Sequence, residues 1–430
     1  MKPTTSRVSR RTFSKGVAAV SAAAVAGTQA TIAIRAQDKA NIRMATYTIS
    51  ESWDAAIQAQ IDAFNAQSEL ANVEIEFRPG DQYWDKIQTE FAGGNAPDIT
   101  LNQIDWLVPG ASRGMFVDLR PFYERDAVDL SGLWYDMEQE WAWEGGMYGA
   151  LLYAGGQALY VNKDLLAAAG EPLPEAGWTW DDLLASAQKL TSEADGVYGV
   201  TLSNPNPPYW ACSFIHGTGG TVLNDARDEC TLNSPEAQAA LQWLVDLTHV
   251  HKVAPVLVQE EGAENPFVAG KIAYYFGGTW DEAAVRVAGF DWDFLPMPAH
   301  PETGIRSVQM GSNAWSILST TSNEDAAWEV VKYLGGPDGA AGVSSLGIPG
   351  WTEVVESPEF LEAHLPGDIT IPVADFSEVG HDYYGTEDAG EWWAAVTQEF
   401  GPMWTGEDTV ENSTQRATDA VNDIFSMRGM

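Results

Sequence analysis

The side chains that could do chemistry in this chain are mostly carboxylates and aromatic rings: 61 Asp and Glu, 18 Trp, 15 Phe and 14 Tyr in 430 residues. Two carboxylates flanking a bond would suit glycoside hydrolysis, but so many acidic residues guarantee accidental pairs, and no pair is marked. His249 and His251 stand two apart on a helical stretch and face different sides. Together with Cys212 and Cys230 they show no metal-ligand spacing, so no metal is expected. The two cysteines leave either one disulfide or two thiols open. No Gly-x-Ser-x-Gly elbow occurs, and no glycine pair is followed by Lys-Ser or Lys-Thr, as a phosphate loop needs. Binding without turnover, and without a cofactor, explains more. Flat aromatic rings pack on the C–H faces of sugars, while amides and carboxylates bond their hydroxyls.

Charge and length narrow the partners. The 23 basic residues against 61 acidic ones give a net charge of −38, a poor balance for nucleic acid, whose phosphates need Lys and Arg. The acidic residues are scattered, as on a solvated surface. A chain of 430 residues exceeds one ordinary core and suits two domains. Ser9-Arg10-Arg11-Thr12-Phe13-Ser14-Lys15, followed by an Ala- and Val-rich run, reads as a twin-arginine export signal over 1–36, cleaved after Ala30 or Ala36. No Cys follows it, so a free periplasmic or extracellular protein without a lipid anchor is expected.

The elements that must position a site follow from periodicity. Asn41–Thr48 alternates like a strand, a helix carries Trp53, Ile57, Ile61 and Phe64, and Val73–Phe77 alternates again. Tyr83–Phe91 is a helix stopped by Gly93-Gly94, and Ile99–Leu101 is a third strand. This order predicts a mostly parallel sheet flanked by helices, with ligands held past the strands' C-terminal ends. A Trp-rich helix is expected over Trp134–Trp143. The stretch from Gly145 to Leu166 is then a strand broken by Gly155-Gly156, with Asn162 and Asp164 placed to cap the helix that ends at Gly170. An ordinary bulge and a hinge remain open there. Thr179 and Asp182 predict a capped helix, and Ser234-Pro235 another. Further passages between domains are expected near Pro296 and Gly336.

Several of these stretches resemble one family. They are Gly94-Asn-Ala-Pro-Asp98 before an apolar strand, Leu159-Tyr-Val-Asn-Lys-Asp-Leu165, and Phe267-Val-Ala-Gly-Lys-Ile-Ala273 with Gly278-Thr-Trp280. The chain resembles the extracellular solute-binding proteins of bacterial ABC importers, the branch that includes maltose-binding protein, over essentially all of its mature length. The resemblance implies an α/β, two-lobe periplasmic-binding-protein fold (type II). Lobe 1 would span 37–155 and 297–337, and lobe 2 would span 156–296 and 338–430. It implies a monomer that captures a sugar or oligosaccharide and delivers it to the importer's permease. A glycerol phosphate or polyol is the alternative ligand, and a secreted glycoside hydrolase the alternative of another class.

Carried onto this chain, the family's pocket falls on Glu51 and Trp53 after the first strand, and on Asn102, Asp105 and Trp106 after the third. Tyr153 and Gln157 fall at the hinge, Tyr209 and Trp210 on a second-lobe loop, Trp280 at the Gly-x-Trp tip, Asn313 by the returning strand, and Trp393 on a late helix. For each the competing role is core packing. The acidic hinge residue of many maltodextrin binders is absent, since Gly155-Gly156-Gln157 stands there, which puts maltose itself in doubt.

Overall fold

A computed structural model describes residues 39–428 apart from 81, 135, 137–139, 203–208, 257–264, 345–346 and 382–383. The twin-arginine stretch lies outside the described residues.

The strands are β1 (Ala40–Thr48), β2 (Ala71–Pro79), β3 (Ile99–Gln103), the short pair β4 (Ala142–Trp143) and β5 (Gly146–Met147), β6 (Ala150–Asn162), β7 (Tyr198–Leu202), β8 (Ile272–Gly278), β9 (Trp292–Leu295), β10 (Val308–Ile317) and β11 (Gly380–His381). They hydrogen-bond in the order β2-β1-β3-β10-β6-β8-β7, with β9 also on β6 and β11 also on β10. β1 runs parallel to β2 and β3, as the β-α-β order requires. β10 is antiparallel to both β3 and β6, and β8 is antiparallel to β6. The sheet is therefore mixed rather than mostly parallel. The reason is geometric: β6 carries the chain one way across the molecule and β10 brings it back.

Two main cores lie along that path. The first gathers the inward residues of β1, β2 and β3, the helix Glu51–Gln67 and Ala150–Tyr153 of β6. The second gathers Ala154–Val161 of β6 with β7, β8, β9 and the helices Tyr209–Gly217, Pro235–His249, Ala389–Thr405 and Val410–Ser426. β6 is buried along its whole length, so its apolar run serves one core and then the other. β10 does the same in reverse, with Val308 and Met310 in the second core and Ala314, Trp315 and Ile317 in the first. The return passage expected near Pro296 thus lies at Gly311. β9, just before Pro296, pairs with Leu159–Asn162 and packs wholly in the second core. A third passage runs between Val343 in the first core and Ile348 in the second, where the Ala154 N–H donates to the Ile348 carbonyl at 2.8 Å.

Local signals fix the helices. The Ser50 hydroxyl accepts from the Trp53 N–H at 3.2 Å, and Trp53, Ile57, Ile61 and Phe64 fill the buried face beyond it. Thr179 and Asp182 form a reciprocal capping box, and the Asn162 side chain accepts from the Leu165 N–H at 3.1 Å. Gly170 closes that helix at φ 70°, a conformation suited to glycine. The helix expected over Trp134–Trp143 does not reach its end, because Ala142–Trp143 pairs with Gly146–Met147 around a turn with Glu144 and Gly145 at positive φ. Four positions of that run lie outside the described residues. Cys212 and Cys230 are both buried and form no disulfide. Among the described residues no helix is long and apolar enough to cross a membrane.

Candidate functional site

The candidate site is built where the passages meet. Gly155 of β6 pairs in register with Gly311 of β10, at the boundary between the two cores. These residues border a cavity of about 440 Å³, together with Tyr47, Ile49, Gln103, Ile104, Asp105, Tyr153, Tyr209, Trp280, Ser312 and Asn313. A Cβ on Gly155 would sit 3.4 Å from the Tyr153 ring and 3.5 Å from the Trp280 ring. These are ordinary contact distances, so a methyl here would fit between the rings and take up space in the cavity.

Each wall has a local cause. Tyr47 ends β1, Asp105 opens the helix Ile104–Ser112 that follows β3, and Trp280 lies in the 3-10 turn Thr279–Asp281 that follows β8. All three stand at or just past the C-terminal ends of strands, where open α/β sheets take ligands. Tyr209 begins the helix Tyr209–Gly217. The Asn313 amide nitrogen donates to the Tyr47 hydroxyl at 2.6 Å and to the Tyr153 hydroxyl at 3.0 Å, and Gln103 donates to Tyr47 at 2.7 Å. The tyrosines are therefore held from behind. Burial pushes the Tyr47 hydroxyl up to about 12 and raises those of Tyr153 and Tyr209, so all three remain neutral. Burial also lifts the Asp105 carboxyl to about 6, against the opposing pull of its own backbone N–H and that of Trp106. Asp105 keeps part of its surface open along the cleft.

A second cavity of about 320 Å³ shares Ile49 and Trp280 with the first and continues past Ser50, Ser52, Trp53, Glu282, Arg286 and Gly347. Trp280, with 39% of its surface exposed, stands between the two. Arg286 is engaged by Glu282 at 3.3 Å and by the Ala363 carbonyl at 2.6 Å.

Of the residues proposed from sequence, the structure brings together Asp105, Tyr153, Tyr209, Trp280 and Asn313 at the first cavity, and Trp53 at the second. The others stand elsewhere. Glu51 is exposed in the first turn of its helix. Asn102 is buried and donates to the Ser316 hydroxyl at 3.1 Å. Trp106 stacks on Trp84, with centroids 5.1 Å apart and planes 4° from parallel. Gln157 is buried and donates to the Trp210 carbonyl at 3.3 Å. Trp210 is buried behind Trp280, centroid to centroid 5.8 Å. Trp393 is buried and stacked on Trp392 at 4.2 Å. Sequence reasoning missed Tyr47, Gln103 and Ser312. Tyr47 was accessible through the strand-end rule, as the last ring before Thr48 closes β1. Ser312 carried no signal of its own.

Comparison with known proteins bears on the family and the fold. A family model described as "Bacterial extracellular solute-binding protein" matches residues 59–366. The maltodextrin-binding protein MdxE of Bacillus subtilis is 21% identical over 300 residues, 68% of this chain and 69% of its own. The maltotriose-binding protein of Pyrococcus abyssi is 24% identical over 274 residues, 61% of this chain and 56% of its own. The ABC substrate-binding protein Lmo0181 of Listeria monocytogenes, solved in complex with cycloalternan, superposes with a TM-score of 0.80 at 24% identity, covering 91% of this chain and all of its own. At that identity the superposition establishes the fold.

Proposed function

The chain belongs to the bacterial extracellular solute-binding proteins, a family of binding proteins rather than enzymes, and from that premise we propose that it captures a carbohydrate for an ABC importer. The observation that carries the carbohydrate reading is the first cavity: rings of Tyr47, Tyr153, Tyr209 and Trp280 beside the carboxylate of Asp105 and the amide of Asn313. Rings exclude water from sugar C–H faces and the polar groups bond hydroxyls. Relatives named for maltodextrin and maltotriose support the same class. A phosphorylated ligand such as a glycerol phosphate fits less well, because no Lys or Arg lines this cavity among the described residues.

The two lobes meet at Gly155, Gly311 and the passage through Gly347. Ligand draws them together there, burying itself between Trp280 on one side and Tyr47 and Asp105 on the other. The Ser9–Lys15 signal supports export of the folded chain by the twin-arginine route, and the permease of the importer is its membrane partner. A thermal-shift screen of mono- and oligosaccharides, polyols and glycerol phosphates tests the reading. Ligand at a hundred times its dissociation constant should add about 2.7 kcal/mol of stability. Stabilisation by glycerol phosphates and by no sugar would replace carbohydrate with the anionic class.

A further inference from the structure

The charge of the first cavity is one-sided. Among the described residues that line it, Asp105 is the one charged side chain. Several wall donors are already committed to protein acceptors. Asn313 gives its amide hydrogens to Tyr47 and Tyr153, and Gln103 gives one to Tyr47. Ser312 donates its hydroxyl proton to the Glu140 carboxylate and accepts from the Trp141 indole N–H at 2.8 Å. A hydroxyl whose proton is engaged offers a ligand only its remaining lone pair. Acceptors at Asp105 and Ser312 therefore face a ligand beside the hydroxyls of the tyrosines and the Trp280 indole, and Asp105 alone brings charge.

The aromatic rings add to this bias. Tyr47, Tyr153, Tyr209 and Trp280 line the same cavity, and the negative faces of such rings attract cations. An ammonium group brings the positive charge that Asp105, held only by backbone N–H groups among the described residues, lacks in this ring-lined wall, and a hydroxyl does not. Glu140, behind Ser312, adds negative potential that reaches Tyr209. The chain's net charge of −38 raises the local concentration of cations and lowers that of anions. Burial that resists ionisation of Asp105 is relieved when a cation sits beside it.

Resting on the carbohydrate reading, we propose that this cavity selects a sugar carrying a protonated amine, paired to Asp105 and boxed by Tyr47, Tyr153, Tyr209 and Trp280. The recognised class is an amino sugar or an oligosaccharide containing one. The amine lies in the first cavity, and Trp280 separates it from whatever part of the ligand enters the second.

Matched pairs that differ in one substituent test this. Isothermal titration of the exported protein compares glucosamine with glucose, galactosamine with galactose, and the glucosamine β-1,4 disaccharide with its N-acetylated form and with cellobiose, at a pH where the amine is protonated. The expected result is that an aminated member binds at least about tenfold more tightly than its neutral and acetylated partners, as a charge-assisted contact requires. Asp105→Asn should erase most of that difference, whatever it does to the affinity of both members alike. Equal or stronger binding of the neutral member overturns the amine and leaves the carbohydrate reading standing. Failure of every aminated sugar also overturns it, and the neutral panel then decides the carbohydrate reading by itself. The comparison of unmodified ligands does not depend on whether the variant folds.

Discussion

Gly155 and Gly311 face each other across β6 and β10, one on the chain's outward passage between the cores and one on its return. The same pair borders the cavity, so the passages between the cores and the cavity wall share a backbone. Tyr153 ties the third passage to them. Its ring would lie 2.5 Å from a Cβ on Gly347, and its hydroxyl accepts from Asn313.

These clearances rank three substitutions. A Cβ at Gly156 would lie 2.6 Å from the Gln309 carbonyl oxygen, a backbone atom that cannot swing away. Gly156→Ala should destabilise the unliganded protein by about 1–3 kcal/mol, as forced overpacking does. Gly311→Ala meets its nearest side-chain atom at 3.5 Å, ordinary contact, and should unfold with the parent. Gly155→Ala should fold but bind more weakly, because the new methyl enters the cavity between Tyr153 and Trp280. Urea unfolding of the three proteins, with titration of any sugar that binds, checks the order.

Two tryptophans at the cleft should behave oppositely. Trp280 is 39% exposed whereas Trp53 is 2% exposed and part of the first core. Trp280→Ala should leave unliganded stability nearly unchanged and weaken binding by roughly 2 kcal/mol or more, the range of aromatic anchors. Trp53→Ala should cost about 3–5 kcal/mol of folding stability. A large loss of unliganded stability in Trp280→Ala with unchanged affinity would return that ring to a packing role.

Asp105 makes stability depend on pH. Burial raises its folded carboxyl to about 6, so ionisation disfavours the folded state more than the unfolded one. Its contribution is present in full below the ordinary aspartate value of about 3.9 and is lost as pH rises through about 6. Asp105→Asn removes that loss, so the variant should gain on the parent between about pH 4 and pH 7. Denaturation at several pH values measures the gap, and a gap that stays constant would show that Asp105 ionises freely.

Much of the fold was legible because it rests on local chemistry. The strand and helix alternation, the Thr179–Asp182 box and the Asn162 cap need only neighbours in sequence. The strand-end rule reached Asp105 and Trp280 for the same reason. What was not legible depends on pairing across the chain. Pro296 looked like a passage, but β9 is drawn onto the far half of β6, and only that pairing moves the return to Gly311. Trp106, Trp210 and Trp393 resemble ligand platforms in sequence, yet each finds a ring to pack on: Trp84, Trp280 and Trp392 respectively. Their partners lie 22, 70 and one residue away, so spacing alone could not separate stacking on protein from stacking on sugar.

Closure at the three passages is open to scattering. With Gly155, Gly311 and Gly347 at the passages, the two cores should rotate toward one another when the cleft fills. Small-angle scattering at saturating ligand should give a smaller radius of gyration than the unliganded protein. An identical profile would mean that ligand enters a cleft already closed.

The central claim, that this protein holds a carbohydrate against Trp280 and Asp105, is tested most directly by titrating a sugar that stabilises it into the parent, Trp280→Ala and Asp105→Asn. The parent should bind saturably and one to one, with affinity at least about tenfold weaker in Trp280→Ala and all three proteins folded. Undiminished affinity in both variants would place the ligand outside this cavity and contradict it.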